Sequence, residues 1–230
     1  MIADLFANDG RAWPLRDGVV HVWRFSLADS ADEGALSDDE RAIAARFVTR
    51  ELRDRYVVAH AGVRALLAQY VDPPLAFSPV GDLHGSSPRR RGKPRVAGIE
   101  HNLSHCDDVA LLAVAWDRAL GVDIERRDAD IDQRAVGRMV RAPDEAELDF
   151  MRVWCRKEAA LKATGVGLID DLTSVSVAGD CARVEGQDVW LYDLDLGADH
   201  AGALAAARQF VKSRISCVER SAVIATSVVR

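Results

Sequence analysis

The stretch that most constrains this chain is VALLAVAW at 109–116, eight apolar residues in a row, with GVDIER following at 121–126. A run that is apolar at every position, instead of at alternate ones, reads as a strand buried on both faces. Side chains two apart on a strand leave the same face, so Asp123 and Glu125 stand side by side. Neighbouring carboxylates repel, and near a buried strand their charge needs a partner. Two readings are open. The acids are a solvated strand end, or they hold a hard divalent cation. Mg²⁺ suits the second, because it takes one or two protein carboxylates and completes its shell with phosphate oxygens.

Composition narrows the class. The chain has 230 residues, 49% apolar and 29% charged, which is ordinary for a soluble protein of one large domain or two small halves. A net charge of −6 argues against a protein built for nucleic acid. Cys106, Cys155, Cys181 and Cys217 are scattered without metal-finger spacing and read as reduced thiols. No apolar stretch reaches the length of a membrane span, and MIADLFANDGR lacks the pattern of a signal peptide. The expectation is a soluble, cytoplasmic chain without membrane or nucleic-acid partners.

Strand composition recurs in VVHVWRFSL (19–27), about 99–104 and 120–125. LSDDERAIAARFV opens a helix, with Ser37 and Glu40 forming a capping box. Helical spacing continues to Tyr70, so one long helix or two in tandem cover about 38–71, ended by DPP at 72–74. The polar, basic stretch 78–98 reads as a loop, linker or anion site. RDADIDQRAVGRMV gives a short helix. Pro143 is expected to open a longer one reaching Thr164, where Gly165 and Gly167 stop it. LTSVSVAG, CARVEG and DVWLYDLDL read as strands and turns, and HAGALAAARQF is ambiguous by propensity.

Four further stretches carry candidate chemistry. On a helix, Trp154, Glu158, Leu161, Lys162 and Gly165 share one side of WCRKEAALKATGVG. The ordinary reading of Glu158 and Lys162 is a surface ion pair. Their apolar neighbours favour a general base with a phosphate-binding cation. HNLSHC (101–106) is a turn capped by Asn102 and Ser104, a metal site from His101 and His105 (which needs a helix that the surrounding sequence does not give), or a hydroxyl and imidazole that meet phosphate. In RRRGKPRV (89–96), Gly92 and Pro94 bracket Lys93, which fits an aimed anion contact. The arginines of RELRDRY (50–56) are phosphate contacts or a helix's wet side. Together these are the parts of a magnesium-assisted attack by a hydroxyl on a polyphosphate.

GKP, HNLSH, GVDIE and W-x-x-K-E-A-x-x-K, in this order over roughly residues 19–205, resemble the 4′-phosphopantetheinyl transferases of the surfactin-synthetase-activating type. The resemblance implies an α+β fold, α/β sandwich-like, of two similar halves related by pseudo-twofold symmetry. Residues 1–117 would carry the coenzyme A nucleotide contacts, and 118–230 the metal site and catalytic helix. HAGALAAA becomes a strand, against propensity, and the tail from about 206 stands outside. The implied activity moves the phosphopantetheine arm of coenzyme A to a serine of an apo acyl or peptidyl carrier protein, leaving 3′,5′-ADP.

By the same resemblance Mg²⁺ or Mn²⁺ sits on Asp123 and Glu125. Asp144 of VRAPDEAEL aligns as a third ligand, with Glu145 as its neighbour. Glu158 is implied as the base, Lys162 as the cation on the diphosphate, and Ser104 and His105 as the pair on the coenzyme A phosphates. Lys93 and Arg55 are further coenzyme A contacts. Arg50, Arg53 or the 89–95 loop is left to hold the 3′-phosphate, and the enzyme is expected to act as a monomer. Arg134, Arg138 and Arg141 fall on one helix stripe, expected to meet an acidic helix of the carrier. Two other readings stay open, a metal-dependent phosphohydrolase and a non-catalytic binder of coenzyme A or carrier.

Overall fold

Residues 15–71, 98–116, 118–167, 169, 171–210 and 215–220 are described by a computed structural model. Strands β1 (Val20–Ser26), β2 (Ile99–Cys106), β3 (Val109–Trp116) and β8 (Ile215–Arg220) form one sheet, in the order β2-β3-β1-β8. Strands β4 (Leu120–Arg126), β5 (Cys181–Val184), β6 (Gln187–Asp193) and β7 (His200–Ala206) form the other, in the order β4-β7-β6-β5. Helices α1 (Asp38–Ala44) and α2 (Arg50–Leu67) follow β1, and α3 (Gln133–Val140) and α4 (Phe150–Thr164) follow β4. The fold is α+β. All pairings are antiparallel except that of β1 with β8, so the chain leaves the first sheet after β3 and returns to it with β8.

The apolar run is explained by what covers its two faces. Ala110, Leu112 and Val114 pack with Val58, Val63 and Leu67 of α2, while Leu111, Ala113 and Ala115 pack with Leu120, Val122 and Ile124 of β4. A strand with a helix on one side and a second sheet on the other has no face left for a polar residue. The second sheet's far face carries α4, whose Ala159, Ala160 and Ala163 rest on Ala201, Ala203 and Ala205 of β7. That contact makes HAGALAA a strand. Small side chains let the helix come close, and tertiary packing overrides alanine's helical preference.

Helix breaks follow local capping. The 38–71 region is two helices because the Thr49 hydroxyl accepts from Leu52 N (3.3 Å) with Thr49 itself extended (φ −108°, ψ 146°). Pro143 opens only a 3₁₀ turn, Pro143–Glu145, not a long helix, and α4 starts afresh with Asp149 as its N-cap. Gly165 ends α4 at φ +67°, a left-handed conformation that glycine adopts without strain. LTS at 172–174 is a 3₁₀ turn, within the strands and turns expected there. The DPP stop and the 78–98 stretch, apart from Gly98, lie outside the described residues. Among the described residues no helix is long and apolar enough to cross a membrane.

Beneath α2 a buried polar cluster sets an acid limit. Trp23 Nε1 donates to Tyr70 Oη (2.6 Å), which lies 2.8 Å from His21 Nδ1. Burial lowers the His21 pKa to about 4, so the ring is neutral in the fold. A folded-state value below the unfolded one means that the neutral ring's contribution is present above pH ~6.5 and lost as pH falls toward 4. The loss should reach roughly 3 kcal/mol at about pH 4. Urea unfolding at pH 7 and pH 4 should show it, and His21→Gln should flatten the wild-type drop. An equal drop in the variant would assign the acid loss to other groups.

Candidate active site

The site forms where the second sheet's edge meets the first. β2 and β4 lie at the edges of their sheets, and Val122 N donates to Asn102 Oδ1 (2.7 Å), so a side-chain amide replaces a ladder bond between them. HNLSH is therefore part of a strand and not a turn, and Asn102 is a bridge between sheets, not a cap. Opposite Gly121, Asp123 and Glu125 the partner strand presents Ala205, Ala203 and Ala201. This is the face that α4 covers. Gly121 is glycine because the helix lies on it. A Cβ there would stand 2.2 Å from Ala159 O, 2.5 Å from Ala163 N and 2.7 Å from Lys162 Cβ.

That close approach delivers Lys162 to Asp123. Lys162 Nζ donates to Asp123 Oδ1 (2.6 Å), Ser104 Oγ (3.0 Å) and Val122 O (3.2 Å), and Ser104 Oγ donates to the same Asp123 oxygen (2.9 Å). Asp123 is 3% exposed. Its other oxygen, Oδ2, is buried and takes no hydrogen bond of ordinary geometry among the described residues, while the buried Cys155 thiol faces the Asp123 carboxyl as a weak donor. The Glu125 carboxyl is pushed up by burial and then by the Asp123 charge, with the Cys106 thiol and the Trp154 indole opposing the shift. Burial and then Asp123 also push Glu158 up, with Glu125 adding to the effect and Lys162 opposing it. His105 stands near the end of β2 with part of its side chain exposed and its ring partly enclosed. Its ring is held below the usual range by the protein around it, then by the Lys162 and Arg55 cations.

These groups fit a divalent cation. A buried carboxylate oxygen with no donor beyond a weak thiol among the described residues, next to a second carboxylate, is a hard-cation donor set that an anion's oxygens can complete. The third acid is another matter. Asp144 is turned away on its 3₁₀ turn, where it accepts from Ser176 Oγ (2.6 Å). Among the described residues no three His, Cys, Asp or Glu side chains are grouped to hold a metal. The further carboxyl that feels Asp123 and Glu125 is Glu158.

Glu145, fully buried, points inward to Lys157 Nζ at 2.9 Å. It also accepts from Ala142 N (2.7 Å) and Val177 N (2.6 Å). Lys157 completes its donors on Leu172 O (2.9 Å) and Val175 O. Arg156 clamps Asp193 through two bonds and donates to Val177 O and Gly179 O. Adjacent helix residues point about 100° apart, so Lys157 and Arg156 anchor the helix while Glu158 faces the site. This anchoring was not legible in the sequence, because the partners of both cations lie 12 or more residues away along the chain.

The basic residues divide. Arg55 bonds Asp108 (2.9 Å) and Glu51 (3.0 Å) and acts on His105, so it belongs to the site's rim. Arg50 pairs with Asp54 and Arg53 with Glu33. Arg141 leaves the expected stripe by donating to the carbonyls of Glu145 and Leu148 and covering the Phe150 ring. Arg134 and Arg138 remain exposed. Lys93 lies outside the described residues.

Residues 119–187, which hold Asp123, Glu125, Glu158 and Lys162, match the 4′-phosphopantetheinyl transferase superfamily. Over 195 residues the chain is 30% identical to the 4′-phosphopantetheinyl transferase HetI of Nostoc sp. (strain PCC 7120 / SAG 25.82 / UTEX 2576), covering 74% of this chain and 80% of that protein. The chain belongs to the 4′-phosphopantetheinyl transferase family and is a transferase of that class.

Proposed function

We propose that this enzyme moves 4′-phosphopantetheine from coenzyme A to a serine of an apo acyl or peptidyl carrier protein, releasing 3′,5′-ADP, with Mg²⁺ at Asp123 and Glu125. The observation that carries the reading is Asp123 itself, with one oxygen on Lys162 and Ser104 and the other buried with only the weak Cys155 thiol facing its carboxyl among the described residues. When bound, the cation would supply positive charge against the diphosphate. Residues 118–230 contribute the acids and α4, and residues 1–117 contribute Ser104, His105, Arg55 and Lys93 toward the coenzyme A phosphates.

Glu158 takes the proton of the carrier serine. Its raised pKa brings the carboxylate closer in basicity to the hydroxyl it serves. The serine oxygen bonds the phosphorus that bears pantetheine, and the bridge to the adenosine phosphate breaks. Lys162 and His105 offset charge gathering on the phosphoryl oxygens. Incubation with coenzyme A, Mg²⁺ and an apo-carrier should add one phosphopantetheine to the carrier by mass spectrometry. Glu158→Gln should slow that gain by about 10²–10⁴-fold at an unchanged melting temperature. Wild-type turnover in the variant would remove the base assignment. Coenzyme A cleavage without any carrier would favour a phosphohydrolase instead.

A further inference from the structure

We infer that Lys162 is the stand-in cation of the metal-free enzyme, held on Asp123 until the diphosphate of coenzyme A offers it another anion, so that divalent cation and coenzyme A bind as linked partners. The inference rests on the function proposed above and adds an order to its binding steps. An ammonium has three donors. Those of Lys162 go to Asp123 Oδ1 at 2.6 Å, Ser104 Oγ at 3.0 Å and Val122 O at 3.2 Å. No donor is left over for a phosphate in this arrangement. The lysine that the family motif aims at the diphosphate is, in the free enzyme, fully engaged inside the protein.

The engagement has a clear cause. A carboxylate as buried as Asp123 (3% exposed) needs a compensating charge, and the ammonium at 2.6 Å supplies it. Ser104 adds its own hydrogen bond to the same oxygen and so fixes which of the two oxygens the lysine takes. Oδ2 is thereby left as the oxygen for a metal. A divalent cation there would place a second positive charge across one carboxylate from Lys162, and like charges a few ångströms apart in a poorly hydrated site repel strongly. The repulsion is relieved when Lys162 swings to an anion. With the Lys162 side chain 28% exposed on its flexible stem, the ammonium has a path outward. Coenzyme A carries the required anion. Linkage then requires that each ligand raise the other's affinity by the same factor.

The test is calorimetric titration of MgCl₂ alone into the wild-type enzyme and Lys162→Met. The variant should bind Mg²⁺ at least tenfold more tightly than wild type, and coenzyme A more weakly. In EDTA its melting temperature should fall below that of wild type and be restored by Mg²⁺, whereas wild type hardly responds to the metal alone. Equal or weaker Mg²⁺ binding in the variant overturns the inference.

Should Lys162→Met not fold, the ¹⁵N resonance of the Lys162 ammonium in the wild-type enzyme decides, assigned by its loss in Lys162→Arg. It should shift when Mg²⁺ and coenzyme A are added together and stay put with Mg²⁺ alone. A shift with Mg²⁺ alone overturns the linkage. Normal carrier modification with either negative result removes only the linkage, whereas a carrier that gains no mass removes the functional reading beneath it.

Discussion

Gly121→Ala is expected to reduce carrier modification by about a hundredfold or more while the chain still folds. The single added carbon would stand 2.2 Å from Ala159 O and 2.5 Å from Ala163 N, both backbone atoms of α4 that have no rotamer to escape into. The helix must lift from β4. Lys162 would lift with it, and so would Glu158, one turn away, while Asp123 and Glu125 stay on the strand. A misplacement of about 1 Å in a catalytic constellation costs on the order of 10²-fold in rate. The stability cost of overpacking is smaller, about 1–3 kcal/mol. The expected signature is a large fall in turnover with a modest fall in melting temperature. Near-normal turnover would show that the spacing of α4 on β4 does not govern the site.

Glu145→Ala is expected to cost about 3–5 kcal/mol, a large share of a typical domain's stability. Glu145 is 0% exposed and Lys157 1%, so truncating the acid leaves an ammonium buried beside carbonyls alone. Burial already pulls Lys157 below the usual lysine range, with Glu145 opposing that pull, and removal of the acid leaves the pull unopposed. The double change Glu145→Gln with Lys157→Met should cost much less than the sum of its single changes, because neither partner is then left charged and alone. Urea unfolding of the four proteins measures the difference. Additive losses would mean that the pair is not coupled.

Much of the site could be read from the chain, for reasons that differ residue by residue. The common face of Asp123 and Glu125 follows from the period of a strand, and the common side of Glu158 and Lys162 from that of a helix. Neither needs knowledge of the rest of the fold. VALLAVAW was legible because burial on both faces removes the polar residues that would otherwise interrupt it.

What escaped was mostly a choice between neighbours. Asp144 and Glu145 are adjacent acids on one short turn. Which of them turned inward was decided by Lys157 and by an amide 32 residues away in sequence, that of Val177. Arg141 fits the helical stripe of Arg134 and Arg138 by spacing alone. Its partners, the carbonyls of Glu145 and Leu148, exist only because the chain breaks after α3. Asn102 has the composition of a turn cap, and its service as a bridge to Val122 depends on two sheets meeting. The alanines of β7 are ambiguous by propensity, and only the resemblance made them a strand; the packing of α4 across them supplies the physical reason.

The parallel pairing of β1 with β8 has a consequence for the order of synthesis. β1 lies in the interior of its sheet, yet one of its neighbours begins at Ile215, 99 residues after β3 ends at Trp116. At a ribosomal rate of about 5–20 residues per second, that interval is roughly 5–20 s. Throughout it the edge of β1 from Val20 to Phe25 has its hydrogen-bonding groups open on one side. The first sheet to be made is thus among the last to be finished. A nascent chain of this family member should need protection of that early edge until β8 emerges.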